Sequence, residues 1–168
     1  MKPIAVVYTS KTGHTRQYAR MIGDRAKLPV YPLEEAGSVL PPKAPILYLG
    51  WIHASCIKGY AKAAKRFFLC AVCGVGLCDT GILLTQVRRT TGIPDTIPLF
   101  TMQGGIDHSK LKGLDKWMIF TLTKGLAAQK QRSAQDQRML ELLQKDDSYV
   151  SQEHLSDFWK WFDKEVLS

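Results

Sequence analysis

The chain has 168 residues, 45% of them hydrophobic, and a formal net charge of +8 at pH 7. This length suits a single domain, 1–168, with a sizeable core, and the composition excludes a disordered chain. No apolar run approaches the ~20 residues of a membrane-spanning helix, and the first residues carry no signal-peptide pattern. We therefore expect a cytoplasmic protein with reduced cysteines.

The N-terminal part of the sequence predicts a strand, a tight turn and a helix. Residues 4–8 are a continuous apolar run, which is typical of a central parallel strand. Residues 10–15 read Ser-Lys-Thr-Gly-His-Thr, and apolar residues spaced for a helix follow over 15–26. Hydroxyls, a glycine and the free N–H groups of a helix N-terminus favour an anion, so we predict a phosphate site here. The alternative is that the Ser and Thr residues only cap the helix.

Strands and helices are expected to alternate through the first hundred residues. Four further strands are expected, at 29–33, 46–49, 67–72 and 97–102. Prolines place the strand at 29–33 at an edge of the sheet, and Gly74-Val75-Gly76 is expected to break the strand after residue 72. Short helices are expected at 61–65 and 80–91. Ser151 is expected to cap a last helix with one apolar face, made of Leu155, Phe158, Trp159, Phe162 and Val166.

This alternation predicts an α/β fold with a doubly wound, five-stranded parallel sheet and helices on both faces. The natural strand order for five strands is 2-1-3-4-5, and its ligand crevice lies at the carboxyl ends of the first and third strands. Residues 10–15 would then lie at the mouth of the crevice.

Two parts of the sequence resemble a known family. The pattern Ser10-x-Thr12-Gly13-x-Thr15 after a first strand resembles the FMN-phosphate loop of flavodoxins. Residues 104–118 resemble the flavodoxin-domain family that includes the quinone-dependent protoporphyrinogen dehydrogenases, through Gly104-Gly105-Ile106-Asp107, Lys110-Leu111 and Asp115-Lys116-Trp117-Met118. The resemblance implies a flavodoxin-like fold and bound FMN. It also implies that the phosphate is held by Ser10, Lys11, Thr12, Gly13, His14 and Thr15.

Two further loops would flank the flavin ring if the analogy extends to them. The candidates after the third strand are Gly50, Trp51, Ile52, His53 and Ala54. Trp51 is expected to stack on the ring, and packing against a neighbouring helix is the open alternative. The candidates after the fourth strand are Cys73, Gly74, Val75 and Gly76, where glycines let backbone N–H groups approach the ring.

The four cysteines (Cys56, Cys70, Cys73 and Cys78) do not have the spacing of a zinc site. Residues three apart in a strand point to opposite faces, so Cys70 and Cys73 would not converge. We therefore expect buried small thiols and no metal.

Residues 105–132 are expected to form a basic amphipathic insertion within the domain. An i, i+4 stripe of Leu114, Met118, Leu122 and Leu126 is surrounded by lysines. Residues 108–132 contain six cationic residues and one anionic residue, Asp115. Such a helix suits peripheral contact with an anionic membrane through residues 110–126, or an acidic partner. The alternative is a helix packed on its own domain with lysines in solvent.

We therefore expect a flavodoxin-like FMN protein that transfers electrons as an oxidoreductase, with a redox protein or a small-molecule or quinone acceptor as its partner. No acid–base or nucleophile constellation is evident, so no catalytic side chain is assigned. The alternatives are a quinone-dependent protoporphyrinogen dehydrogenase-like enzyme docked at the membrane, and a flavin-free binding or regulatory module. Nucleic-acid binding is not expected, because lysines without a motif are weak evidence.

Overall fold

The structure is a computed structural model that describes residues 1–166. The strands are β1 Ala5–Thr9, β2 Val30–Pro32, β3 Pro45–His53, β4 Cys56–Ile57, β5 Phe68–Gly76 and β6 Leu99–Gln103. The helices are α1 His14–Ala26, α2 Leu33–Val39, α3 Tyr60–Arg66, α4 Leu84–Thr91, α5 Gly113–Ala128, α6 Ala134–Gln144 and α7 Ser156–Glu165. Short 3-10 turns lie at His108–Lys110 and Gln152–Leu155.

The strands form one mainly parallel sheet, which confirms the predicted α/β class. The sheet order is β2-β1-β3-β5-β6, and these neighbours pair in parallel. This order differs from the predicted 2-1-3-4-5 because the unpredicted strand β4 is counted, so that the fourth and fifth predicted strands are β5 and β6. β4 pairs only with β3, antiparallel and off the main path of the sheet. β2 is an edge strand, as its prolines predicted.

Helices cover both faces of the sheet. Alternate residues of β1 point to opposite faces, so Val6 packs with α1 and α7, whereas Ala5 and Val7 pack with α2, α3 and α4. Both strand faces are therefore fully apolar, which explains the unbroken hydrophobic runs in the sequence. The architecture has three layers, with the ends of the parallel strands free to carry loops.

The C-terminal helix packs as its apolar spacing predicted. Ser151 caps the preceding 3-10 turn rather than α7 itself, since its side chain accepts a hydrogen bond from the N–H of Glu153. Within α7, Phe158 is 1% exposed and its ring lies 5.5 Å from that of Phe100 on β6. The predicted face, Leu155, Phe158, Trp159, Phe162 and Val166, is buried throughout.

Tyr18 fixes α1 relative to the far edge of the sheet. Its hydroxyl donates to the carbonyl of Gln103 on β6 at 2.6 Å and accepts from the N–H of Ser151 at 3.3 Å. Burial raises the pKa of Tyr18 to about 12, so the hydroxyl keeps its proton. This buried contact holds the N-terminal half of α1, and the turn before it, in register with the strand ends.

Several element boundaries differ from those predicted. β5 continues through Gly76, so Gly74 and Gly76 lie within the strand and do not break it. A Cβ on Gly74 would lie 2.8 Å from Ile52 Cδ1, so the glycine is needed for close packing on β3. α4 begins at Leu84, four residues later than predicted. The short elements α2 and β4, and the helix α6, were not predicted.

A third, smaller apolar cluster lies outside the two sheet faces. It contains Ile106 after β6, Leu126 of α5, and Leu140 and Leu143 of α6. α5 and α6 therefore pack on each other and on the segment that follows β6. Within residues 1–166, none of the helices has the combined length and apolar character needed to cross a membrane.

Candidate functional site

A cavity of about 310 Å³ lies at the carboxyl ends of the central strands. It is bounded by the turn between β1 and α1, the ends of β3 and β5, the segment after β6, and the helices α5 and α6. This volume is within the usual range for small-molecule sites, about 300–1,000 Å³. The position is the one expected for a ligand crevice in an open parallel sheet.

The turn of residues 10–15 joins β1 directly to the start of α1. Gly13 has φ +104°, in the left-handed region that favours glycine, and no atom lies within 4 Å of the place where a Cβ would stand. Ser10 Oγ accepts from the N–H of Gly13 at 3.2 Å and from that of Arg16 at 3.4 Å. Ser10 thus stabilises the turn by hydrogen bonds within it. This is the helix-capping role that was the alternative to phosphate binding.

Four other residues of this turn lie at the cavity wall. Lys11, Thr12, His14 and Thr15 all line it. The N–H groups of the first turn of an α-helix have no intrahelical acceptors, and the helix dipole adds positive potential there. The turn therefore combines a structural cap at Ser10 with a set of donors suited to an anion.

The charges at this end of the cavity are coupled to α5. Lys11 forms an ion pair with Asp115, and the Lys11 ammonium lies 5.3 Å from the centroid of the Trp51 ring. Lys110 donates to the carbonyl of Thr12 at 3.3 Å and pairs with Asp107 at 2.7 Å. The turn of residues 10–15 is thus linked to the N-terminal part of α5 and to the segment before it.

His14 is buried at the wall of the cavity and is 7% exposed. Its Nδ1 lies 2.9 Å from Thr12 Oγ1. Burial lowers the pKa of His14, the nearby Lys110 lowers it further, and Asp107 partly opposes them. The imidazole is therefore neutral near pH 7 and takes part in the site as a hydrogen-bonding group.

The segment after β3, predicted as a loop, is instead the end of a strand and a tight hairpin. Trp51 and His53 belong to β3, and their rings meet edge to face with centroids 5.5 Å apart. Ala54 and Ser55 have φ +48° and +60°, so two non-glycine residues occupy left-handed positions between β3 and β4. Gly50 packs tightly under this hairpin, because a Cβ there would lie 2.5 Å from Ile57 Cγ2.

An apolar wall closes the cavity on the side opposite the sheet. We call it the α5–α6 wall; it consists of Met118, Ile119 and Leu122 of α5, and Met139 and Leu143 of α6. Met118 Sδ lies 3.1 Å from His53 Nε2, which ties α5 to the hairpin. Burial lowers the pKa of His53, and Lys58 and Lys11 lower it further. The cavity thus has a polar end at residues 10–15 and an apolar end beneath α5 and α6.

The structure brings most of the sequence-predicted site residues to one cavity. Those that line it are Lys11, Thr12, His14, Thr15, Trp51, Ile52, His53, Ala54, Val75 and Gly76. Ser10, Gly13, Gly50, Cys73 and Gly74 are not in its lining. The first two shape the turn, whereas Cys73 is 1% exposed in the core, where burial raises its thiol pKa.

The α5–α6 wall is the part of the site that the sequence analysis missed. Met118 and Leu122 belong to the predicted stripe, but nothing in the stripe indicated which surface it would cover. Met139 and Leu143 are also spaced i, i+4, and Ser133 caps α6 by accepting from the N–H of Asp136. This cap and spacing were signals from which α6 could have been found.

Searches of protein-family models, curated proteins and solved structures find no match to this chain. Among residues 1–166, no group of three or more His, Cys, Asp and Glu side chains is arranged to hold a metal ion.

Proposed function

We propose that this chain is a flavodoxin-like FMN-binding protein that transfers electrons as an oxidoreductase. The observation that supports it best is the turn of residues 10–15. It offers hydroxyls and helix N-terminal N–H groups at the polar end of a cavity, and Trp51 lines the same cavity. A ligand with a phosphate at one end and a flat ring at the other matches this arrangement.

The donor set at the polar end fits a phosphate. Thr15 supplies a hydroxyl, and Thr12 supplies a second one in the tautomer in which His14 Nδ1 is the donor of their contact. The start of α1 supplies N–H groups and a positive dipole end. Asp115 would repel a phosphate, but Lys11 neutralises it through their ion pair. Selectivity for the phosphate would then come from the backbone and hydroxyl donors more than from net positive charge.

The remainder of the cavity fits an apolar ring. Ile52, Val75 and Leu77 line it together with the α5–α6 wall, and Trp51 offers a flat aromatic surface. Offset stacking on such a surface contributes about 0.5–1.5 kcal/mol beyond burial. These residues would hold the ring by apolar contact and exclude water from it.

A bound flavin would supply the redox chemistry, and the protein would tune it through contacts and burial. His53 is a titratable group that contacts the apolar end, through Met118 of the α5–α6 wall. Its lowered pKa keeps it neutral at pH 7, so it can accept a proton or a hydrogen bond at the cavity. Lys11 and the turn of residues 10–15 would orient the phosphate.

The α5–α6 wall favours a small apolar reaction partner over a redox protein. α5 covers the cavity and is held there by the Lys11–Asp115 and His53–Met118 contacts. A large partner would have to displace the helix to approach the ring. A quinone-dependent protoporphyrinogen dehydrogenase-like activity is therefore our second candidate, and oxidation of protoporphyrinogen by the FMN-loaded chain with a quinone as electron acceptor tests it.

Paired titrations with FMN and riboflavin test the cofactor, because the two ligands differ only in the phosphate. We expect FMN to bind at least about tenfold more tightly, the equivalent of about one charge-assisted hydrogen bond. Gly13→Ala should weaken the binding of FMN and leave the binding of riboflavin nearly unchanged, because the alanine would strain the turn that holds the phosphate.

Gly92→Ala provides a matched control. Gly92 has φ +77° at the C-terminal end of α4, and no atom lies within 4 Å of its Cβ position, as at Gly13. Both substitutions place an alanine at a positive φ, but only Gly13 belongs to the proposed phosphate site. Equal losses of FMN affinity in the two variants, or equal binding of FMN and riboflavin to the wild-type chain, would contradict the proposed site.

A further inference from the structure

The outer face of α5 carries large apolar side chains that no part of the described chain covers. Leu114 is 83% exposed, Trp117 65% and Phe120 58%, and we call these three residues the outer face of α5. Monomeric soluble proteins rarely group large apolar side chains on the surface unless they bind something there. The grouping therefore needs an explanation that the site does not provide.

α5 is apolar on two sides. Its inner side, with Met118, Ile119 and Leu122, faces the cavity, and Leu126 is buried against α6. Trp117 and Phe120 are three residues apart, so they share one side of the helix, and neither lines the cavity. Met118, Leu122 and Leu126 of the predicted stripe therefore face inward. Leu114, the first residue of that stripe, is exposed and belongs with Trp117 and Phe120 to the outer face, which internal packing does not use.

Cations surround the outer face of α5. Lys112, Lys116 and Lys124 are all exposed, and no ion pair joins any of them to a carboxylate within residues 1–166. The Lys124 ammonium lies 5.2 Å from the centroid of the Phe120 ring. Asp115, the one carboxylate of α5, is turned inward to Lys11. The outer face is therefore apolar, and the unpaired charged side chains that residues 112–124 expose beside it are all cations.

We propose that the outer face of α5 docks the protein on an anionic lipid bilayer. Exposed Trp, Phe and Leu side chains enter the boundary between headgroups and acyl chains, and the lysines bind anionic headgroups. A second copy of the chain is disfavoured, because its lysines would meet the same lysines. An acidic protein would satisfy the charges but does not require three apolar side chains this exposed.

This docking has a consequence for the cavity. The same helix forms the α5–α6 wall on its inner side, so a bilayer on its outer face lies one helix away from the cavity. The docking itself requires no bound flavin, so it can be tested independently of the proposed cofactor.

Vesicle cosedimentation of the full chain tests the proposal, with phosphatidylcholine vesicles and with mixed phosphatidylcholine–phosphatidylglycerol vesicles. The wild-type chain should sediment with the mixed vesicles only. Lys116→Glu with Lys124→Glu should weaken that binding at least about thirtyfold. The same double change at Lys62 and Lys65 of α3, which are also exposed, removes equal charge elsewhere and should have a much smaller effect.

The apolar contribution is tested separately. Trp117→Ser with Phe120→Ser should reduce vesicle binding about tenfold or more, whereas Val39→Ser, at a 56% exposed residue of α2, should not. Tryptophan fluorescence should shift to the blue when mixed vesicles are added, and the shift should be lost in Trp117→Phe. Circular dichroism verifies that each variant is folded.

Three results would overturn the proposal. The first is that the wild-type chain does not sediment with mixed vesicles. Binding to polyglutamate in that case would indicate an acidic protein as the partner. The second is an equal loss of binding in the α3 and α5 charge variants, which would indicate non-specific attraction by the net charge. The third is unchanged binding of the folded Trp117→Ser, Phe120→Ser variant.

Discussion

The packing of α7 on the sheet predicts a large loss of stability in Phe158→Ala. Phe158 is 1% exposed, and its ring centroid lies 5.0–5.8 Å from those of Phe100, Trp159, Trp161 and Phe162. Truncation removes the buried ring and leaves a cavity among four aromatic side chains. Such changes typically cost about 3–5 kcal/mol, out of a total of about 5–15 kcal/mol for a domain.

Equilibrium unfolding in urea, followed by circular dichroism, measures this loss. The matched control is Phe120→Ala, the same substitution at a residue that is 58% exposed, and it should cost less than about 1 kcal/mol. Phe158→Leu should recover most of the stability, because it refills part of the volume. Equal free energies of unfolding for the two alanine variants would refute the buried position of α7.

Two further predictions concern the polar end of the cavity. Asp115→Asn leaves the Lys11 ammonium without its counter-charge. Attraction between this partly exposed ammonium and the FMN phosphate should then add on the order of 1 kcal/mol to the binding free energy. The ratio of the riboflavin Kd to the FMN Kd should therefore rise about fivefold; a constant ratio would argue against a phosphate near Lys11. The lowered pKa of His14 means that the unfolded chain binds more protons below pH 6.5. The free energy of unfolding should fall as pH drops below 6.5, and His14→Gln should flatten that slope; an unchanged slope would contradict the burial of the imidazole.

The sequence predicted the parallel sheet well because its central strands are buried on both faces. Such strands read as continuous apolar runs, as at Val6 and Leu47, whose neighbours pack on opposite sides of the sheet. Strand ends were less predictable. Gly74 and Gly76 suggested a break, whereas in the structure they let β5 pass close to Ile52. Local sequence did not show that a tertiary contact required a small residue there.

The site was predictable where it depends on one short segment and unpredictable where it depends on long-range packing. The turn of residues 10–15 follows from a strand, a glycine and a helix start within twelve residues. The α5–α6 wall forms because Leu126 packs against α6 and Lys11 pairs with Asp115, over a hundred residues away. Neither contact has a local sequence signal, so the stripe on α5 predicted an apolar face but not its target.

The most direct test of the central proposal is an equilibrium titration of the purified full chain with FMN, followed by quenching of flavin fluorescence. We predict saturable binding of one FMN per chain, with riboflavin at least about tenfold weaker. Tryptophan quenching that is lost in Trp51→Leu would place the ring at that side chain. Failure to bind FMN, with the chain shown to be folded, would contradict the assignment of the cavity as a flavin site.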